Sequence, residues 1–347
     1  MTEPVISARP RVRIDGETRA DMNAAIRDCS IRLPLSGMAH CELRLINWGG
    51  RSDNPDADFV FNDINPGQGI DVLMGEDAQD PVFSGDITAI EERYGDGAPQ
   101  LVLLAEDKLH LLARLRGNRA HEETSIGDVI SQLAQEASLD VDASIDTRGT
   151  WHQLNESHLA FMIRLAAPHD IAIRLQNNQV RARPEEEDSD PVRLHAQDNV
   201  QRIRLIADLN QQPLSVQSRS YDIAADRDLE HNVDALTPAP SGNTAAAMLS
   251  DLGWGSDENY PQPCPASQSD VEAWASGRFR HQAKRYVHGE ITTSGIPELR
   301  SGREVELDGV SPRLLGRYQV VDCHHRFDSQ GYRTTIRIQR PDLGDSA

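Results

Sequence analysis

The residue types best suited to hold a metal ion stand together near the end of the chain, as Cys323-His324-His325. Thiolate and imidazole are the groups that zinc prefers as ligands. Neighbouring residues of a strand point to opposite faces of a sheet, however, so three consecutive side chains cannot easily converge on one ion. The tripeptide therefore predicts a structural strand and no metal site.

Other chemistry is equally hard to assemble from the sequence. His152, His158 and His169 lie near a predicted helix without a cysteine or carboxylate at a zinc-ligand spacing, which indicates histidines of the helix surface. The motifs G-x-S-x-G, H-E-x-x-H, G-x-x-x-x-G-K-S/T and G-x-G-x-x-G are missing. The many carboxylates do not single out a glycosidase pair. We expect no catalytic residue and no cofactor.

Composition and charge exclude further classes of protein. The chain has 347 residues, of which 38% are hydrophobic, and a formal net charge of −20. The length predicts two or three domains. The charge argues against a nucleic-acid-binding surface, where cationic groups supply the affinity, and against docking on anionic membranes. The sequence has no apolar run of about 18 residues to span a bilayer and no secretory signal. Cys29, Cys41, Cys264 and Cys323 are too scattered for a disulfide scaffold, which favours reduced, cytoplasmic synthesis.

Residues 1–106 read as a β-rich unit. Alternating and continuously apolar runs indicate strands, and glycines suggest a hairpin at residues 95–97. The predicted strands are Arg11–Ile14, Cys41–Trp48, Pro81–Glu91 and Gln100–Ala105.

Residues 107–196 change character and predict two helices and a hairpin. Ser125 and Asp128 match a capping box that opens the first helix. In the stretch Trp151–Pro184, Asn155 is the predicted cap of the second helix, Leu154 and Leu159 form a hydrophobic staple, and Pro168 ends the helix. An apolar face follows helical spacing and a strand-like alternation comes after it, in the positions Leu159, Met162, Ile163, Ala166 and then Ile171, Ile173, Leu175. The pair Asn177-Asn178 suits a tight turn, and the acidic run Glu185–Asp190 indicates a solvated loop.

A second β-rich unit covers residues 197–240 and 286–341, interrupted by an irregular excursion and helix at residues 241–285, and residues 342–347 form a tail. Ser269 is the predicted cap of the helix, which runs to about Arg285. The strands predicted after it are Tyr286–Ser294, Arg303–Leu307, Gly316–Cys323 and Tyr332–Gln339. Two β units in one chain suggest a duplicated element, although no sequence similarity is evident. In the excursion, Trp254 and Tyr260 either contact a partner or pack the loop onto its own domain.

Several short motifs, in order, resemble the phage late control D family, the gp27-like baseplate hub proteins of contractile tails. The middle motif W-x-x-L-x-x-S-x-x-x-F matches Trp151, Leu154, Ser157 and Phe161. Upstream, Phe83-Ser84-Gly85-Asp86-Ile87 resembles an F-x-G-x-I strand, followed by Asp107-Lys108-Leu109, and Asn47-Trp48-Gly49 also fits. The closing hairpin resembles the family at Gly316, Tyr318, Val320, His325, Phe327, Gly331, Tyr332 and Thr334.

This resemblance implies a β-rich α+β fold with two tail-tube-like β-barrel domains and a helix-plus-hairpin domain inserted between them. It implies a homotrimer that presents six barrels in a ring, between the six-fold tail tube and a three-fold spike. The strands Phe83–Glu91 and Tyr286–Ser294 would line the channel. The channel or ring positions predicted on them are Phe83, Gly85, Ile87, Glu91, Glu290 and Thr292. With a net charge of −20, an acidic wall would repel DNA or acidic cargo.

The partners implied are a spike protein, the tail tube or a tube-initiator protein, and other baseplate proteins, without sequence-specific nucleic acid binding. Since the sequence stops at PDLGDSA, just after the last strand, we expect the spike to be a separate polypeptide. Assembly would be cytoplasmic, and the product part of a virion tail or an injection particle. The remaining hypotheses are a tail-associated enzyme that degrades the cell wall and a tail-tip carbohydrate-binding β-protein. The latter needs an aromatic cleft, and aromatic residues are only 5% of the chain.

Overall fold

A computed structural model describes residues 9–50, 56–75, 78–95, 97–185, 189–223, 225–255, 257–261 and 267–344. Cys264 and part of the predicted acidic run, residues 186–188, lie outside these ranges. The fold is built on one sheet of 13 strands, with four smaller sheets and six α-helices in the described residues. The expectation of a β-rich fold with few helices is confirmed. No helix within the described ranges is long and apolar enough to cross a membrane.

The first β unit carries all the strands predicted for it. Its core is formed by alternate strand residues such as Leu43, Ile87 and Leu103. Its elements are β1 (Arg11–Ile14), β2 (Glu17–Thr18), α1 (Ala20–Ala25), β3 (Ile26–Pro34), β4 (His40–Ile46), β5 (Gly69–Leu73), β6 (Phe83–Arg93) and β7 (Gln100–Glu106). They lie in the order β3-β4-β7-β6-β5-β1-β2.

The middle unit packs three helices around an apolar core of its own. Its elements are α2 (Leu109–Arg114), β8 (Arg116–Ser125), α3 (Ile126–Glu136), β9 (Asp140–Ala143), β10 (Arg148–Ser157), α4 (His158–Ala166), β11 (Arg174–Gln176) and β12 (Gln179–Ala182). The predicted cap of α3 is confirmed, because the Ser125 side chain accepts a hydrogen bond from the Asp128 amide. The predicted turn is confirmed as well, since Asn177 and Asn178 both have positive φ.

The start of α4 was predicted wrongly. Ser157, not Asn155, caps the helix by accepting from the Ala160 amide. Asn155 lies in β10 with a φ of 54°, and Leu154 is 72% exposed, so no hydrophobic staple forms. The cause is the pairing of β10 with β8, which holds the chain extended as far as Ser157. Helical structure does end near Pro168, but Ile171 and Ile173 precede the strand and are buried outside it.

Residues 192–343 contribute in turn to the large sheet and to smaller sheets beside it. Its elements are β13 (Val192–His195), β14 (Val200–Ala207), β15 (Ser215–Asp222), β16 (Arg227–Val233), β17 (Asn243–Thr244), α5 (Ala245–Leu252), β18 (Asp257–Pro261), α6 (Gln268–Ala283), β19 (Val287–Ser294), β20 (Glu304–Asp308), β21 (Gly316–Asp328), β22 (Gly331–Arg340) and β23 (Asp342–Leu343). Strands β13, β14 and β19 to β22 belong to the large sheet.

Residues 215–233 lie outside the large sheet, although the sequence placed them in the second β unit. Strands β16, β15 and β18 form a separate three-stranded sheet, because Phe279 and Ala283 of α6 pack against Val216. The predicted cap of α6 was wrong by two residues. Ser267 caps the helix, since it still has extended backbone, whereas Ser269 is already helical.

The two β units share one strand order. The second unit runs β14-β19-β22-β21-β20-β13, which repeats β3-β4-β7-β6-β5-β1 of the first unit strand for strand. The irregularities coincide as well. A β-bulge follows Ile87 in β6 and Val320 in β21, and another follows Ile26 in β3 and Val200 in β14. One strand differs, since β1 runs antiparallel to β5 while β13 runs parallel to β20. The duplication suggested by the sequence is therefore visible in the topology.

The two units are joined by strand pairing within the chain. The second half of β21 pairs antiparallel with β3, from Asp322 opposite Pro34 to Phe327 opposite Cys29. The Arg300 guanidinium strengthens this junction by donating to the carbonyl oxygens of Val82 and Pro81, at 2.9 and 2.8 Å. The first half of β21 pairs with β20 instead, so β21 serves both units.

Candidate channel face and partner contacts

The six predicted channel residues fall on two opposite faces of the large sheet. Phe83 and Ile87 are almost fully buried in the core of the first unit. Gly85 lies between them, where an added Cβ would overlap the carbonyl oxygen of Glu106. These three positions were therefore predicted wrongly as channel lining. Their pattern of large and small residues reflects tight packing of β6.

Glu91, Glu290 and Thr292 do share a face. Thr292 stands in a row of directly paired residues that crosses both units through Thr335, His324, Arg32, His40 and Glu106. Glu290 is on the same side of β19 as Thr292, two residues away. Glu91 pairs with Val102, and Val102 pairs with Arg44. Arg44 lies on the outward side of β4, two residues from Glu42. Pairing and alternation thus build one continuous polar face from β14 to β6.

This face is not acidic. In the described strands from β14 to β6 it carries nine arginines: Arg32, Arg44, Arg93, Arg202, Arg204, Arg317, Arg326, Arg333 and Arg337. It carries eight carboxylates: Asp28, Glu42, Asp86, Glu91, Glu106, Glu290, Asp322 and Asp328. Many of these charges are paired, as shown by Arg326 and Arg333, which reach Asp328 at 3.0 and 2.7 Å. The expected acidic wall is therefore absent from the described part of this face, and the negative charge lies elsewhere on the molecule.

One carboxylate of the face is tied to the middle unit. Lys108 and His110 reach Asp86 at 2.6 and 2.8 Å. Burial of Asp86 acts to raise its pKa, but these two partners outweigh burial and lower the pKa. Asp107 beside them is nearly enclosed, and its burial raises its pKa to about 6 although it accepts from the backbone amides of Ala39 and Leu109. This group fixes the start of α2 against β6.

The Cys323-His324-His325 tripeptide behaves as strand alternation predicts. His324 points outward and lies 2.8 Å from the Ser30 hydroxyl. His325 is fully buried, with its ring nitrogens 2.8 Å from the Tyr332 hydroxyl and 3.0 Å from the Leu299 carbonyl oxygen. Burial lowers its pKa to about 3. Within the described ranges no three His, Cys, Asp or Glu residues are placed to hold a metal ion.

Two of the three histidines predicted for the helix surface are buried. His158 lies between Glu136, at 2.9 Å, and Gln153, at 3.0 Å. His169 is enclosed in the turn after α4, where burial lowers its pKa to about 4. Only His152 is exposed. His158 opens α4 on the same buried face as Phe161 and Met162, and His169 lies beyond the helix in a buried turn, so neither is a residue of the helix surface.

The motif positions hold the fold together more than they present a surface. Phe161, Tyr318 and Tyr332 are core residues, and Phe327 is largely buried. Trp151 donates from its indole nitrogen to the Thr124 carbonyl oxygen at 3.0 Å, and Ser157 is the helix cap. Gly316 and Gly331 adopt positive φ, which glycine accepts without strain.

The two candidate partner contacts, Trp254 and Tyr260, lie in different parts of the excursion. Trp254 follows the left-handed Gly253 at the end of α5 and is 69% exposed. The backbone of Tyr260 pairs with Ser218, which places it in the small three-stranded sheet. Exposure of a large aromatic residue makes Trp254 available to a partner.

One polar junction of the described residues has no counterpart in any sequence pattern. Asp170, in a left-handed conformation after α4, contacts Arg280 and His281 of α6 and Lys284 directly after the helix, at 3.2, 3.1 and 2.8 Å. Burial acts to raise the pKa of Asp170, but these three partners outweigh burial and lower the pKa. The residues are 110 or more positions apart, so only the fold brings them together. This junction fixes the middle unit to the excursion.

A family model described as the Alg8 N-terminal domain matches residues 10–329. The chain belongs to the Alg8 N-terminal domain family. None of the curated proteins matches it.

Solved structures similar to this Alg8 N-terminal domain chain are tail proteins. The 43 kDa tail protein of prophage MuSo2 from Shewanella oneidensis has a TM-score of 0.72 at 14% identity, over 97% of this chain and 99% of that one. The tail protein from Neisseria meningitidis has a TM-score of 0.68 at 12% identity, over 96% of each chain.

A third similar structure links the fold to secretion. It is an E. coli component of the type VI secretion system, described as similar to the bacteriophage T4 tail proteins gp27 and gp5, with a TM-score of 0.51 at 12% identity over 97% of this chain and 79% of that one. At such identities the likeness shows the fold alone, and that fold is the tail-protein fold.

Proposed function

We propose that this chain is a baseplate hub of a contractile phage tail or of a related injection particle. Three copies would form a ring between the six-fold tail tube and a three-fold spike. The observation that carries the proposal is the repeated strand order of the two β units in one chain. A trimer of such chains holds six similar units while keeping only three-fold symmetry, which is what a connector between the two symmetries needs. The tail-protein fold supports the same context.

In this proposal each β unit is a tail-tube-like barrel of a gp27-like, late control D type hub, and residues 107–196 face outward to brace neighbouring baseplate proteins. The polar face that carries Glu91, Glu290 and Thr292 lines the channel. Because its described arginines and carboxylates nearly balance, we propose a hydrated wall that neither strongly attracts nor repels charged cargo. The partners are a spike protein, the tail tube or a tube initiator, and other baseplate proteins.

Light scattering tests the trimer. The chain is purified alone and together with a co-expressed spike protein from the same gene cluster. A mass of three times 38.4 kDa, or a complex of three hubs and three spikes, is the expected result. A stable monomer under both conditions would contradict the proposal.

We also propose that the role is structural and not catalytic, and that the particle assembles in the cytoplasm. The competing hypothesis of a cell-wall-degrading enzyme is tested by the turbidity of a peptidoglycan suspension. A steady fall in turbidity with the purified chain, lost when the chain is heat-denatured, would favour the enzyme. An unchanged suspension is the result that we expect.

A further inference from the structure

Four strands of the large sheet have an edge, or part of one, without a backbone partner in the described residues: β2, β13, β14 and the second half of β6. The first half of β6, Phe83–Asp86, pairs with β5, but beyond Ile87 this edge has no strand beside it. Strand β14 pairs with β19 on one side only. Unpaired edges of this length are available to bind another strand. Within the described ranges, β6 therefore offers a free half-strand and β14 a free full strand.

These two edges are the counterparts of the two strands that already pair within the chain. In the repeated strand order β6 corresponds to β21, and β14 corresponds to β3. Ile87 and Val320 each stand directly before the bulge of their strand, so they are equivalent positions. Four residues further along each strand, Glu91 corresponds to His324. In the same way, Ile26 of β3 and Val200 of β14 each stand directly before a bulge. Six residues further along each strand, Arg32 corresponds to Ile206. The pair His324–Arg32 is bonded inside the chain.

We propose that β6 of one copy pairs antiparallel with β14 of the next copy, in the register that joins β21 to β3 within each chain. This inference rests on the proposed trimer and specifies its contact. The opposed residues would be Ala89 with Asp208, Ile90 with Ala207, Glu91 with Ile206, Glu92 with Leu205, Arg93 with Arg204, and Tyr94 with Ile203, the second of each pair being on the next copy.

The exposed apolar groups at these edges fit this pairing. Tyr94 is 64% exposed, whereas its counterpart Phe327 is covered by the neighbouring unit, opposite the buried Cys29. Ile203 and Leu205 are half-buried at the open edge of the second core. Pairing would bring Tyr94 of one copy onto Ile203 of the next and remove both from water.

The charges at the contact allow the same register. Arg93 would face Arg204 of the next copy directly, which is unfavourable for the bare pair. Glu91 lies two residues from Arg93 and already binds it at 2.7 Å. It would be diagonal to Arg204, so one carboxylate would serve both guanidinium groups.

The contact is heterologous, because each copy uses a different edge on each side. Such contacts close into a ring when the rotation at each contact fits a whole number of subunits. Here one junction lies inside each chain and its counterpart lies between chains. A ring of three copies would thus contain six junctions of one kind, three inside the chains and three between them.

Cysteine cross-linking tests the register directly. The double variant Glu91→Cys, Ile206→Cys is oxidised and run on a non-reducing gel. The positive control is the intrachain pair His324→Cys, Arg32→Cys, which has the same relative position in the fold. The register control is Glu91→Cys with Arg202→Cys, displaced by four residues or about 13 Å along β14. The unmodified chain controls for its own cysteines.

We expect covalent trimers of three times 38.4 kDa from the matched pair, and from neither the displaced pair nor the unmodified chain. If light scattering shows a trimer, the intrachain control cross-links and the matched pair does not, the strand assignment is wrong while the proposed hub stands. If the unmodified chain is monomeric with and without the spike, the hub and the strand assignment both fall.

A second experiment changes side chains at the edge of the predicted contact. Tyr94→Arg and Ile203→Arg each place a charge at the predicted contact and should weaken trimer formation at least tenfold, as expected for an apolar anchor. Tyr221→Arg is the matched control, because Tyr221 is an exposed aromatic residue on the small sheet. Equal association of all three variants and the unmodified chain would overturn the assignment.

Discussion

The junction between Asp170 and α6 gives the sharpest stability prediction. Replacing the carboxylate in Asp170→Asn removes one negative charge that Arg280, His281 and Lys284 contact. Asparagine tolerates the positive φ of 55° at this position, so the backbone should be preserved. The variant therefore isolates the electrostatic part of the junction between the middle unit and the excursion.

The size of the effect follows from partial burial. The Asp170 side chain is only 10% exposed, while those of Arg280, His281 and Lys284 are 36%, 55% and 24% exposed. Breaking a fully buried ion pair costs about 3–5 kcal/mol, and a surface pair is worth about 0.2–1 kcal/mol. Since the cations remain partly solvated, we expect a loss of about 2 kcal/mol in the free energy of unfolding.

Urea unfolding and amide hydrogen exchange measure this loss. We expect faster exchange throughout α6 in Asp170→Asn, because the helix loses its main polar attachment. Asp251→Asn, at an exposed carboxylate on α5, is the control with the same charge change. A free energy within about 0.5 kcal/mol of the unmodified chain, with unchanged exchange in α6, would refute the assigned role.

The junction also predicts a direction with pH. Its cations hold the Asp170 pKa below the usual range, so the unfolded chain takes up the proton first as pH falls. The stabilisation is complete above the unfolded pKa of about 3.9 and is lost as pH drops through the lower folded value. We expect the difference between Asp170→Asn and the unmodified chain to shrink in that acid range. A constant difference down to the folded pKa would contradict the mechanism.

Three further predictions concern the core and the start of α2. Gly85→Ala should cost about 2 kcal/mol in urea unfolding, because its Cβ would overlap a backbone oxygen, whereas Gly49→Ala, with open space around it, should cost little; equal costs would contradict the packing described for β6. His325→Leu should cost about 1–3 kcal/mol by the same measurement, since it removes the buried hydrogen bonds of the His325 ring with the Tyr332 hydroxyl and the Leu299 carbonyl oxygen, and an unchanged stability would refute that. The raised pKa of Asp107, about 6, means that the folded state holds the proton longer than the unfolded state. Stability should therefore fall by up to about 3 kcal/mol as pH rises from about 4 to about 6, and Asp107→Asn should flatten this part of the profile; an identical profile in both chains would be the contrary result.

Local sequence rules predicted most of the strands and the helix α3. Period-two alternation identified β21 and β22, and the capping box at Ser125 identified the start of α3. These features depend on residues close together in the sequence. Caps failed where tertiary pairing decided the boundary, as at Asn155, because β8 holds that segment extended.

The candidate channel face was only half predictable. Alternation placed Glu290 and Thr292 on one side of β19, but it could not say that Phe83, Gly85 and Ile87 face the core. That choice depends on which side of β6 is covered, which involves residues far away in the sequence. The balance of charge on the face and the Asp170 junction are equally non-local, so composition alone suggested an acidic wall that the described residues do not form.

The central claim is best tested by imaging the particle end-on. We would record electron cryo-microscopy images of the chain co-expressed with its spike protein and average them without imposed symmetry. We expect a ring with six similar lobes that alternate in two kinds, around a three-fold axis. A ring with another number of lobes, a two-fold dimer or single isolated chains would contradict the hub.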